Sequence, residues 1–194
     1  MKATAKQQVI RIVNGIDVDA LSGAIGEVAK DPAKGQTRWR VATSWKGGTR
    51  TETQVEGYEI GGQYVKKNFQ IRTDEPLELG GTNLAPNPQE TLMSALNACM
   101  TVGYSALCAL EGIELEELRI ETQGDIDLRG FFGLDPSVKP GYDEIQYTVH
   151  IKGNGTPEQF RKIHEAVCAT SPNRFNIANP IRLKADLVVE ERIR

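Results

Sequence analysis

The sequence offers few groups able to act as nucleophiles: three cysteines, Cys99, Cys108 and Cys168, and two histidines, His150 and His164. Cys99 sits in the middle of an apolar stretch running from Pro86 to Tyr104, which reads as a buried helix. A thiol on rigid structure can do redox or nucleophilic sulfur chemistry. A buried thiol alone has a raised pKa and ordinarily serves packing. The field of the helix N-terminus fades within the first turn, so it cannot activate a mid-helix sulfur. Cys99 therefore needs a cation from elsewhere in the fold. Cys108 follows nine residues later, about 180° round the helix and ~13 Å along it. The two cannot pair within one chain, and Cys108 reads as structural. Cys168 lies near the end of a second helical pattern, with His164 one turn earlier and able to hydrogen-bond or polarise it. No Cys/His pair has metal-ligand spacing, and there is no Gly-x-Ser-x-Gly elbow or Walker loop. No metal site is expected.

The elements that must position these groups follow from periodicity and punctuation. Asp17 caps an amphipathic pattern over residues 18 to 30, ended by Asp31-Pro32 and Lys34-Gly35. Thr37 to Trp45, Arg50 to Tyr58 and Tyr64 to Ile71 read as a three-stranded antiparallel meander, joined at Gly47-Gly48 and Gly61-Gly62. Asn87, Pro88 and Glu90 form a capping box opening a long helix, apolar on nearly every face, that Glu111-Gly112 ends. Residues 116 to 129 and Ile145 to Ile151 read as strands, separated by the loop Gly130 to Gly141, long enough to suggest function. Thr156-Pro157-Glu158-Gln159 opens a second helix through about Thr170. Arg182 to Ile193 reads as a closing strand. This order is not a regular βαβ repeat and favours an α+β fold with an antiparallel sheet.

Composition narrows the function. A length of 194 residues fits one domain with an extension, large enough for a core without disulfides. A net charge of -3 without clustered Lys or Arg argues against nucleic-acid binding. No uninterrupted apolar run approaches a membrane span, and the polar start has no secretory h-region. Three cysteines, an odd number, point to a reducing cytoplasm rather than a disulfide framework.

Together the residues resemble the OsmC/Ohr family of osmotically induced and organic-hydroperoxide-resistance proteins. The matching pieces are Trp45-Lys-Gly-Gly-x-Arg50, Asp74-Glu-Pro-x-x-Leu-Gly-Gly81, Pro86-Asn-Pro-x-Glu90 and Ala95-Leu-x-x-Cys99, continuing through Ser171-Pro172 to Asn179-Pro180. The resemblance covers roughly residues 37 to 194 and leaves residues 1 to 36 as an N-terminal helical arm. It implies an antiparallel sheet wrapped around a long central helix in an intertwined homodimer, with sites at the interface. It also implies thiol-dependent reduction of organic hydroperoxides, and of hydrogen peroxide as a further substrate, without a cofactor. Cys99 matches the peroxidatic cysteine and Arg50 the arginine that supplies its cation. The family's acidic partner falls at Gln89, or in another branch at Glu90, which the capping box already explains. The family's resolving cysteine falls at Ser171, leaving Cys168, one helical turn earlier, as the candidate partner, or an external thiol reductant.

Two other readings stay open. Gln89 and Ser171 both depart from the catalytic pattern, which suits a binding protein that holds a small molecule near a retained thiol. An acyl-transfer enzyme would need His150 or His164 within reach of Cys99.

Overall fold

The computed structural model describes residues 10–190. Its elements, in chain order, are β1 Ile12–Val13, β2 Ile16–Asp17, α1 Val18–Lys30, β3 Thr37–Trp39, β4 Ala42–Trp45, β5 Thr51–Ile60, β6 Gln63–Thr73, α2 Pro88–Leu110, β7 Leu115–Gly124, α3 Leu128–Phe131, β8 Ile145–Gly153, α4 Pro157–Thr170 and α5 Pro172–Ala178. Every strand pair is antiparallel. This is the α+β class expected from the element order.

The helices start where their caps place them. The Asp17 side chain accepts from Ala20 N, and both capping boxes, Asn87 with Glu90 and Thr156 with Gln159, are fully formed. Each satisfies backbone donors that the first turn cannot pair internally. The N-terminal arm carries one feature that the helical pattern alone does not announce. Asn14 and Gly15 both have positive φ, 53° and 76°, and close a tight hairpin between β1 and β2. Both centres of such a turn need the left-handed region, which Asn-Gly suits. The Asn14 amide then donates to Ile113 O at 2.9 Å and accepts from Leu115 N at 2.8 Å. That pair of bonds fastens the arm to the start of β7.

The meander is present, with its first strand broken. β3 and β4 pair with the two ends of β5 along one edge, interrupted at Arg40 and Val41, while β6 pairs with the other edge. Trp39 stacks on Tyr58, opposite it in the register, at 4.9 Å between centroids. The outer residues Trp45, Tyr64 and Phe69 stay more than half exposed in a single chain.

The core lies elsewhere. Leu96, Met100, Tyr104 and Cys108 recur every fourth residue and form one buried stripe along α2. They pack with Ile113, Ile163 and Val167, and against the inward side chains of β7 and β8, among them Leu118, Ile120, Tyr147 and Val149. Asn97 adds a polar tie: its amide donates to Ile120 O, and its carbonyl oxygen accepts from Thr122 Oγ1 at 2.6 Å. By length and composition α2 could cross a membrane, but this stripe makes it a core helix. The expectation that α2 is buried all round does not hold within one chain. Only one stripe is covered, and Val102 on another face is 67% exposed.

Two strand expectations also change. β7 ends at Gly124, and Asp127 caps the short α3 instead. Residues 181–190 form no strand, and residues 191–193 lie outside the described residues. Alternation supplies a face but not a partner. A strand exists only where a neighbouring backbone takes its N–H and C=O groups.

The lead-in to α2 is held by one carboxylate. Asp74, 1% exposed, accepts from Thr49 Oγ1 at 2.6 Å, Glu75 N, Thr82 N, Thr82 Oγ1 and Leu84 N. Gly81 is needed in this loop, since a Cβ there would lie 1.7 Å from Glu75 O. The hydroxyls of Thr49 and Thr82, with the backbone donors, hold the Asp74 carboxyl far below the usual carboxylate range. A folded-state pKa below the unfolded value stabilises fully above that value and is lost as pH falls. Stability is therefore expected to drop below about pH 4, the unfolded value for Asp. Asp74→Asn should lower Tm at pH 7, and its deficit against wild type should shrink in thermal melts taken progressively below that pH.

Candidate active site around Cys99

Cys99 is set by the way α2 and α4 cross. Gly103 leaves room for Val167: a Cβ on Gly103 would lie 3.2 and 3.3 Å from the two Val167 methyls. The helices approach closely at this point, since a small residue lets a neighbouring side chain sit against backbone. Cys99 is four residues before Gly103, and Ser171 is four after Val167. The two residues therefore meet one turn beyond the crossing, and Ser171 Oγ donates to Cys99 Sγ at 3.4 Å.

Ser171 is firmly placed. It is the C-cap of α4 and the N-cap of α5, 5% exposed, with its N–H on Val167 O and its carbonyl accepting from Phe175 N. Asn173 latches α5 to α2 by donating to Ala95 O at 2.8 Å. The Cys99 thiol is half-buried at this joint. No base touches Cys99 among the described residues. His150 instead pairs with Glu121 at 3.0 Å, and His164 Nδ1 lies 2.5 Å from Tyr104 Oη, so neither histidine is hydrogen-bonded to Cys99 among the described residues.

The other residues singled out from the sequence stand apart within one chain. Arg50 lies on the exposed turn between β4 and β5, where its Nε donates to Gly47 O at 3.3 Å. It lines a cleft of about 260 Å³ with Lys46, Arg72, Asp74 and Leu84. Glu90 is committed to the α2 cap: its Oε2 accepts from Asn87 N at 2.7 Å, and its own N–H donates to Asn87 Oδ1. Neither Arg50 nor Glu90 forms a hydrogen bond to Cys99 among the described residues.

Cys168 is a free thiol, half-buried, with its sulfur 3.5 Å from Tyr147 Oη and 3.6 Å from His164 Nε2. It makes no sulfur–sulfur bond to Cys99. Cys108 is fully buried in the core, and burial pushes its thiol pKa up. The His164–Cys168 proximity follows from their spacing of four. Tyr147 and Arg174 beside Cys168 escaped the sequence reading. Tyr147 sits on the inward alternation of β8, which marks it as core, and Arg174 carries no local signal. No cluster of three or more His, Cys, Asp or Glu side chains able to hold a metal occurs among the described residues.

The sequence profile described as OsmC-like protein matches residues 81–186. No curated protein matches the chain. Among solved structures, an OsmC-like protein from Mycoplasma pneumoniae superposes with a TM-score of 0.57 at 15% identity, covering 73% of this chain and 87% of that one. An osmotic stress induced and detoxification response protein from Psychrobacter arcticus gives 0.53 at 15% identity, covering 69% and 84%. At this identity the structures show the shared fold, and the profile spans more than half of the sequence. The protein belongs to the OsmC-like family.

Proposed function

We propose that this protein acts in peroxide stress as a thiol-dependent reductant of organic hydroperoxides, with Cys99 as the reacting sulfur. The observation that carries the reading is the Cys99 thiol at the α2–α4–α5 joint with the Ser171 hydroxyl donating to it. Membership of the OsmC-like family supports the peroxide-stress role. The solved relative from Psychrobacter arcticus bears the description of a detoxification response protein.

The Cys99 thiolate attacks the terminal oxygen of a hydroperoxide, the O–O bond breaks, and the alkoxide takes a proton to leave as the alcohol. Sulfur is oxidised to sulfenic acid as the peroxide is reduced. An external thiol then condenses with the sulfenic acid to a mixed disulfide, releasing water. A second external thiol breaks that disulfide and regenerates Cys99. Hydrogen peroxide follows the same path with water as the leaving product.

Arg50 supplies the cation from a second copy of the chain. The exposed apolar residues of the meander and of α2, among them Trp45, Phe69 and Val102, are what a homodimer would cover. Such an arrangement brings the β4–β5 turn of one chain over the thiol of the other, where a guanidinium favours thiolate. Glu90 stays a capping residue. Three free thiols suit a reducing cytoplasm.

Cys99→Ser should abolish thiol-dependent consumption of cumene hydroperoxide while the fold persists. Arg50→Ala should lower kcat/KM about a hundredfold, the usual scale for losing one electrostatic stabiliser. A wild-type protein that consumes neither cumene hydroperoxide nor hydrogen peroxide with any dithiol overturns the reading. Sedimentation should report twice the 21.3 kDa chain mass. Ser171→Cys should place a sulfur against Cys99, and mild oxidation should join the introduced thiol to Cys99 in a disulfide detected by mass spectrometry. Persistence of two free thiols there would exclude the proposed adjacency.

A further inference from the structure

Cys168 lies at the centre of a second constellation that the Cys99 chemistry does not use. Its sulfur contacts Tyr147 Oη on β8 and His164 Nε2 on α4. Behind Tyr147 stands Arg174 on α5, whose Nε donates to Tyr147 Oη at 2.9 Å and whose Nη1 donates to Cys168 O at 2.8 Å. Behind His164 stands Tyr104 on α2, with its Oη 2.5 Å from Nδ1. The five side chains come from four elements.

The direction of each bond can be worked out from what the groups can give. An arginine only donates. Tyr147 Oη therefore accepts from Arg174, and its own hydrogen is left for the sulfur. Tyr104 is 1% exposed, and its hydroxyl has one hydrogen-bond partner among the described residues, His164 Nδ1. A buried hydroxyl hydrogen without an acceptor costs free energy, so Tyr104 donates to Nδ1. Burial keeps that phenol protonated, pushing its pKa up. Neutral His164 is then fixed as the tautomer with its hydrogen on Nε2, which points at Cys168. Both chains end as donors on one sulfur.

We propose that Cys168 is a second reactive thiol, separate from Cys99, that exchanges with small organic disulfides. The thiolate attacks one sulfur of R–S–S–R, the Cys168–S–R bond forms as the old S–S bond breaks, and the electron pair leaves on RS⁻. One disulfide is exchanged for another, so no oxidant or proton enters the step. The leaving-group chemistry selects this class of substrate. Both donors at the sulfur are neutral and supply no strong acid. The site is therefore suited to a leaving group that departs as a stable anion, as a thiolate does and an alkoxide does not. A cleft of about 420 Å³ bordered by Tyr104, Phe160, Arg161, His164 and Glu165 opens beside the imidazole and gives the organic group R a place to lie. The titratable and charged groups that face Cys168 are His164 on its own helix, Tyr147 on β8, Tyr104 on α2 and Arg174 on α5.

The test uses full-length Cys99→Ser protein, so its outcome is independent of whether Cys99 reduces peroxides. The probe is 5,5′-dithiobis(2-nitrobenzoic acid), and thionitrobenzoate release is followed as a function of pH. The expected result is labelling at neutral pH several-fold faster than that of a small free thiol, with the label mapped by mass spectrometry to Cys168. Tyr147→Phe should slow labelling at neutral pH several-fold. His164→Phe removes the opposite donor and should do the same if the first variant does not fold. Labelling no faster than that of a small free thiol, a label confined to Cys108, or a rate indifferent to a folded donor variant overturns the proposal.

Discussion

The close approach of α2 and α4 at Gly103 and Val167 is the contact on which the rest of the described site depends. It turns a general amphipathic packing into a fixed register between two helices. One turn from it lie Cys99 and Ser171. On its other side Ile163 and Leu107 continue the core. Tyr104, next to Gly103 in sequence, is delivered to His164 by the same register. A β-carbon at position 103 would have to move Val167 by a few tenths of an ångström, and both thiol neighbourhoods would shift with it. A closely packed interior transmits such strain rather than absorbing it.

Local chemistry made much of this legible in the sequence, and long-range pairing did not. Asp17, the Asn87–Glu90 box and the Thr156–Gln159 box name their helix starts to the residue, because capping involves groups only three positions apart. The stripe from Leu96 to Cys108 was readable as apolar, but not which of the several apolar faces of α2 it was. That choice depends on where β7 and α4 lie. Asn14-Gly15 was a hairpin signal that went unread, since the strands it joins are two residues each. Residues 182–193 have strand periodicity, and the described residues 182–190 form no strand. The pattern was sound, and the described part of it simply has no partner backbone in the same chain.

The candidate site divides along the same line. Ser171 stood out as a departure from the family pattern, and the structure places that departure against Cys99 itself. The neighbours of Cys168 were half legible. His164 follows from a spacing of four, whereas Tyr147 reaches the sulfur from 21 residues before it and Arg174 reaches the Cys168 carbonyl from 6 residues after. Arg50 and Glu90 mark the limit. Their sequence neighbourhoods match the family, yet within one chain the first sits on an exposed turn and the second closes a cap. Where residues act across two copies of a fold, neither the sequence nor a single chain contains their distance.

The hydroxyl at position 171 has a consequence for kinetic order. Oxygen in that side chain cannot close a disulfide on its neighbour. In the cycle proposed for Cys99, an internal sulfur at that position would capture the sulfenic acid in a first-order step, and an external thiol would still have to reduce the disulfide so formed. With serine there, that capture is closed, and the first condensation in the proposed cycle waits on whatever thiol approaches from solvent. On that chemistry, a single atom at the joint of two helices ties the lifetime of the sulfenic acid to the thiol pool around it.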